Sequence, residues 1–122
     1  MKAVLIGAAL ALAPVAALAA DISGTWNVSG AFGDAIKYTA VCTLKQDAAG
    51  KLAGSCKQQD ATADAPAAGA VDGPKVEFAY DAAYQGSTYH LDYQGGLQPD
   101  GTLSGTVDAG GPQGTFTASR AP

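Results

Sequence analysis

Few side chains in this sequence have the chemistry to act on another molecule. Cys42 and Cys56 are its only thiols and His90 is its only imidazole. The cysteines lie on the two arms of one stretch, Tyr38 to Lys57. Strand alternation there puts Tyr38, Ala40, Cys42 and Leu44 on one face, and Leu52, Gly54 and Cys56 on the matching face of the return arm. Asp47-Ala48-Ala49-Gly50 supplies turn chemistry between the arms. Two registers fit. In one, Cys42 faces Cys56, Leu44 faces Gly54 and Gln46 faces Leu52, with both sulfurs inward. In the other, shifted by two residues, Leu44 faces Leu52 and the cysteines part. The first predicts a disulfide closing a 15-residue loop, worth about 3 kcal/mol by loop-closure entropy. A disulfide accounts for the pair better than metal ligation or a nucleophile does.

His90 shares its strand face with Thr88, Asp92 and Gln94. It is expected to point outward beside Asp92, as a surface histidine without the partners that metal binding or a catalytic triad needs. Asp60 and Asp64 lack the glycine-centred spacing of a calcium loop and are read as solubilising. No glycine stretch opens a helix to cradle phosphate. No catalytic residue, metal or cofactor is expected, and the chain is read as non-catalytic.

Aromatic residues offer more. Tyr38, Tyr80, Tyr89 and Tyr93 share the inward parity of Trp26, Phe78 and Phe116. One reading is a packed core whose hydroxyls hydrogen-bond at the barrel ends or to backbone. The sharper reading is a cavity lined by Tyr38, Phe78, Tyr80, Tyr89 and Tyr93, with hydroxyls aimed at a ligand. The inward glycines Gly24, Gly54, Gly105 and Gly114 fit either, by leaving volume or by letting strands bend.

These residues must be held by strands, because no long stretch has helical periodicity. Eight are expected: Gly24–Gly30, the two arms of the cysteine hairpin, a weak Ala67–Val71, Lys75–Tyr80, Ser87–Leu97, Thr102–Asp108 and Gln113–Arg120. Asp72-Gly73-Pro74, Gln85-Gly86, Pro99-Asp100-Gly101 and Gly110-Gly111-Pro112 punctuate them. Short strands about ten residues apart, each with one apolar face, predict an all-β fold of antiparallel strands. An up-and-down barrel is favoured over a β-sandwich because the connections are short and closure removes exposed edges. The return arm also recurs: Leu52, Gly54 and Cys56 become Leu103, Gly105 and Val107, each 51 residues on. An L-x-x-D, then G-x-L-x-G, pattern at Leu44–Gly54 and Leu97–Gly105 suggests two equivalent hairpins in one meander, although repeated turn chemistry alone would produce the same pattern.

Residues 1–20 read as a signal peptide: Met1-Lys2, an apolar run from Ala3 to Leu18, and an Ala17-Leu18-Ala19 cleavage pattern. The run is short for a membrane span and no positive cluster follows it. Removing it leaves 21–122 as a single barrel domain that is periplasmic or secreted, a setting that permits a disulfide. Without Lys2 the basic residues number six against eleven acidic, a net charge of −5, so nucleic acid and anionic membranes are poor partners.

Gly24-Thr25-Trp26 opens the first strand and Arg120 ends the last. This arrangement resembles the calycin superfamily of lipocalins, fatty-acid-binding proteins and avidins. There, a G-x-W on the first strand closes one end of an up-and-down barrel and a late Arg or Lys packs across the Trp. The resemblance implies that Trp26 and Arg120 form a structural barrel end. A single Trp in the mature chain departs from an avidin vitamin site, and vitamin binding is not implied. Two functions remain: a carrier of a small apolar or aromatic molecule in the barrel interior, or a filled barrel acting through its surface in interaction, stress protection or inhibition.

Overall fold

The structure is a computed structural model that describes residues 20–122. The stretch read as a signal peptide lies outside the described residues, apart from Ala20. Eight strands follow in order: β1 (Gly24–Phe32), β2 (Ile36–Gln46), β3 (Lys51–Gln58), β4 (Ala65–Asp72), β5 (Lys75–Tyr84), β6 (Ser87–Leu97), β7 (Leu103–Asp108) and β8 (Gln113–Arg120). Each pairs antiparallel with its successor, and β8 returns to β1 to close the barrel. That closing pair runs from Trp26 opposite Arg120 to Ala31 opposite Thr115, so the sandwich alternative does not apply.

Alternation does the work in each strand. In β2 the inward set Ala40, Cys42 and Leu44 is buried, while Thr39, Val41 and Thr43 between them are exposed. A slip of one residue would bring the polar set inside, which fixes the register wherever one face is buried. The cysteine hairpin takes the first of its two registers: Cys42 faces Cys56, Leu44 faces Gly54 and Gln46 faces Leu52. The Cys42–Cys56 disulfide is formed, and both residues are buried.

The recurrence at 51 residues is structural. Asp47 N–H donates to the Lys51 carbonyl, and Gly50 N–H to that of Asp47. In the second hairpin Gln98 N–H donates to Thr102, and Gly101 N–H to Gln98. Each turn ends on a glycine with positive φ, +86° at Gly50 and +89° at Gly101. The equivalence therefore aligns Asp47 with Gln98, and Asp100 with Ala49, which corrects the L-x-x-D alignment of the first arms. Each aspartate still braces its turn. Asp47 Oδ1 accepts from the Ala49 and Lys51 N–H groups, and Asp100 Oδ1 from the Thr102 N–H and hydroxyl. Behind the turns, a Cβ on Gly54 would collide with the Thr43 carbonyl, and one on Gly105 with that of Gln94. These inward glycines let neighbouring backbones approach closely and leave no empty volume.

One end of the barrel is sealed. The segment before β1 crosses it with Ile22 fully buried. Gln46 fastens this segment by accepting from Ile22 N–H through Oε1 at 3.0 Å and donating Nε2–H to the Ala20 carbonyl at 2.9 Å. The Trp26 indole N–H donates to the Ile22 carbonyl at 2.9 Å. Arg120 lies over the Trp26 ring, its Cζ 4.6 Å from the centroid. Its Nη1 and Nη2 donate to the carbonyls of Ser23 and Asp21 at 2.8 and 2.9 Å.

Candidate functional site

The opposite end is built differently. Here β1, β2, β5 and β6 run past the last buried layer, so inward-parity residues stand at the rim. Ile36, Tyr84 and Tyr89 are large apolar side chains left exposed there. With Phe32, Tyr38 and Gln58 among the other lining residues, they border an apolar cavity of about 240 Å³.

Three tyrosines from three strands meet beneath this mouth. Tyr38 Oη is 2.7 Å from Tyr93 Oη, and Tyr80 Oη is 3.0 Å from it. Tyr38 reaches the centre because its ring crosses Gly30, the residue directly opposite on β1, where any Cβ would strike the ring. Tyr93 is wedged in place. Phe78 stacks on it at 4.6 Å, Tyr80 at 5.7 Å, and Phe116 meets it edge-on at 5.0 Å. Such arrangements suit the ring quadrupoles.

Burial disfavours the phenolate at all three. It pushes Tyr38 up to about 12 and raises Tyr80. Tyr93 is raised furthest, first by burial and then by the two neighbouring phenols. The group holds its protons firmly at neutral pH. It can donate hydrogen bonds, whereas a general acid or base works best with a pKa near the operating pH.

Of the five residues expected to bind a ligand, the structure brings Tyr38, Tyr80 and Tyr93 together by their hydroxyls. Tyr38 and Tyr89 line the cavity. Tyr89 keeps inward parity but is 41% exposed at the rim, 6.5 Å from the Tyr84 ring. Phe78 lies behind Tyr93 in the packed interior. Sequence reasoning missed Phe32, Ile36, Gln58 and Tyr84. Parity carried two residues past Gly30, and four past Tyr80, would have found Phe32 and Tyr84.

The polar candidates lie outside. His90 is exposed, and its partner is Asp81 across the strand pair at 2.8 Å, where Asp92 was the expected neighbour. Asp81 is directly opposite on β5, while Asp92 is two residues along the same strand. The hydrogen bond to Asp81 raises the His90 pKa. Asp60 and Asp64 are exposed in the loop after β3. Among the described residues no three His, Cys, Asp or Glu side chains gather as metal ligands would. Two grooves on the outer wall, of about 510 and 480 Å³, are bordered by polar side chains such as Lys37 and Thr115 in one and Asp72 and Glu77 in the other.

No family model matches the sequence. No curated protein matches it either. Among solved structures, the chain is similar to the fluorescent protein UnaG, in a crystal structure of an Asn-to-Ala mutant. Identity is 16% and the TM-score 0.52, over 83% of this chain and 96% of that one. At this identity the likeness is one of fold alone, and the fold is a calycin-like barrel.

Proposed function

We propose that the protein is an exported, non-catalytic barrel that holds a small apolar or aromatic molecule at its open end. The observation that carries this reading is the apolar cavity lined by Tyr38, whose hydroxyl joins those of Tyr93 and Tyr80 in one cluster. Sealing one end while leaving exposed aromatic side chains at the other is an arrangement that a purely structural barrel has no need of. Size limits the occupant. An apolar cavity of about 150 Å³ holds benzene in a protein interior, so about 240 Å³ suits one substituted ring. Export is supported by the character of residues 1–20 and by the disulfide, which persists in oxidising compartments. Nucleic acid and membrane are not proposed as partners of the mature chain.

The test combines native mass spectrometry of the exported protein with a thermal-shift screen of one-ring aromatics. A retained small molecule, or a midpoint rising with compound concentration, is the expected result. The intact mass should also match loss of residues 1–20. The packed interior around Tyr93, Phe78 and Phe116 favours a second reading, a filled barrel acting through its surface. No retained molecule and no shift with any compound would put that reading first.

A further inference from the structure

The three hydroxyls under the mouth hold one more proton than they can share. Each phenol has one O–H to donate, and the group contains two hydrogen bonds, Tyr38 with Tyr93 and Tyr93 with Tyr80. Tyr93 is fully buried, so leaving its own proton without an acceptor would carry the cost of an unsatisfied buried donor. The surplus proton therefore leaves at one end of the chain, at Tyr38 or at Tyr80. Gln58 stands beside Tyr80 and itself lines the cavity.

Both directions place a donor on the cavity wall. If Gln58 donates to Tyr80, and Tyr80 and Tyr93 pass the bond onward, the free O–H is that of Tyr38, a lining residue. If the chain runs the other way, Tyr80 donates to the Gln58 carbonyl oxygen and the amide N–H groups of Gln58 remain. Among the described residues the rest of the lining brings no charged group and is apolar, apart from the Tyr84 and Tyr89 side chains, which stand exposed at the rim. We infer that the cavity selects apolar molecules carrying one uncharged hydrogen-bond acceptor, a carbonyl above all, at the end that reaches Tyr38 and Gln58. A carboxylate would meet donors but no balancing cation, in a place that already disfavours negative charge on tyrosine.

This inference rests on the carrier reading, and the experiment separates the two. Acetophenone, ethylbenzene and benzoate are titrated by NMR into the mature, disulfide-intact protein, into Tyr38→Phe and into Gln58→Leu. The carbonyl stretch of bound acetophenone is read by infrared difference spectroscopy. Acetophenone should bind, benzoate should bind more weakly than acetophenone, and one of the two variants, Tyr38→Phe or Gln58→Leu according to which side chain holds the free donor, should weaken acetophenone by roughly two- to ten-fold, the range for one neutral hydrogen bond; no loss in either would overturn the acceptor inference. Ethylbenzene should change by less than a factor of two. The bound carbonyl stretch should lie below its frequency in alkane and return toward it in that variant. Binding of ethylbenzene with an alkane-like carbonyl stretch for bound acetophenone, or equal losses for both compounds, would overturn the acceptor inference alone. Benzoate binding most tightly would overturn the preference for an uncharged group. Binding of none of the three would overturn the carrier reading and this inference together. If either variant does not fold, the wild-type carbonyl frequency still decides.

Discussion

Arg120→Ala tests the sealed end most directly. The guanidinium sits 4.6 Å from the Trp26 centroid and donates to the carbonyls of Ser23 and Asp21. A cation–π contact at an exposed site contributes about 0.5–1 kcal/mol. The side chain is exposed, so each hydrogen bond is placed at the low end, about 0.5 kcal/mol. Together they give about 1.5–2 kcal/mol. In a domain of this size 1 kcal/mol moves Tm by about 4–8 °C, so Tm should fall by about 6–16 °C. Loss of the two carbonyl partners also loosens the segment that covers Trp26, leaving it held by Gln46 and the Trp26 indole. Tryptophan emission, from a side chain now 1% exposed, should then shift to the red. Arg120→Lys should fall between, because an ammonium keeps the charge but not the planar fork. Differential scanning calorimetry and fluorescence measure both effects. A Tm within 2 °C of wild type, with unchanged emission, would show that Arg120 holds nothing in place. A lysine variant as poor as alanine would instead remove the argument from fork geometry.

Replacing both Cys42 and Cys56 with alanine should cost about 3 kcal/mol, the loop-closure value for residues 14 apart in sequence; a urea midpoint almost unmoved would contradict it. Gly54→Ala and Gly105→Ala should each cost about 1–3 kcal/mol, since the new methyl meets backbone that cannot move aside. The two should also match, because their surroundings repeat; a loss below about 0.5 kcal/mol at either would refute the close approach. Stability should fall as pH rises from about 10, where unfolded tyrosine ionises, through about 12, where Tyr38 does. The sign follows because the folded state keeps protons there that the unfolded chain has lost. A flat urea midpoint over that range would disprove the buried hydroxyl group.

The strands were legible because parity is a strong signal wherever one face is buried. Cys42, Phe78, Leu91 and Phe116 all sit where alternation puts them. Barrel closure followed from short connections and from the first and last strands needing partners. The site was less legible. Strand ends beyond the core, such as Phe32, Ile36 and Tyr84, obey parity but are not forced by burial, so reading stopped at Gly30 and Tyr80. Gly30 looked like a terminus, yet it is the gap through which the Tyr38 ring passes. The meeting of Tyr38 with Tyr93 joins residues 55 apart on strands that are not neighbours, and only the curvature of the closed sheet creates it. The Gln46 clasp at the other end was hidden for the same reason: its partners belong to an extended segment with no periodicity.

The strand order also sets how the chain assembles. Seven of the eight pairs join strands adjacent in sequence across connections of two to six residues. Each can zip from its own turn at small entropic cost. The β1–β8 pair alone brings together distant parts of the chain, Trp26 with Arg120. Loop closure makes such a step the slow one. Arg120, which lies over Trp26 in the lid, is also paired with Trp26 at one end of this seam. The seam is therefore the step expected to limit folding, whereas the disulfide-tied hairpin next to it can form without waiting for it.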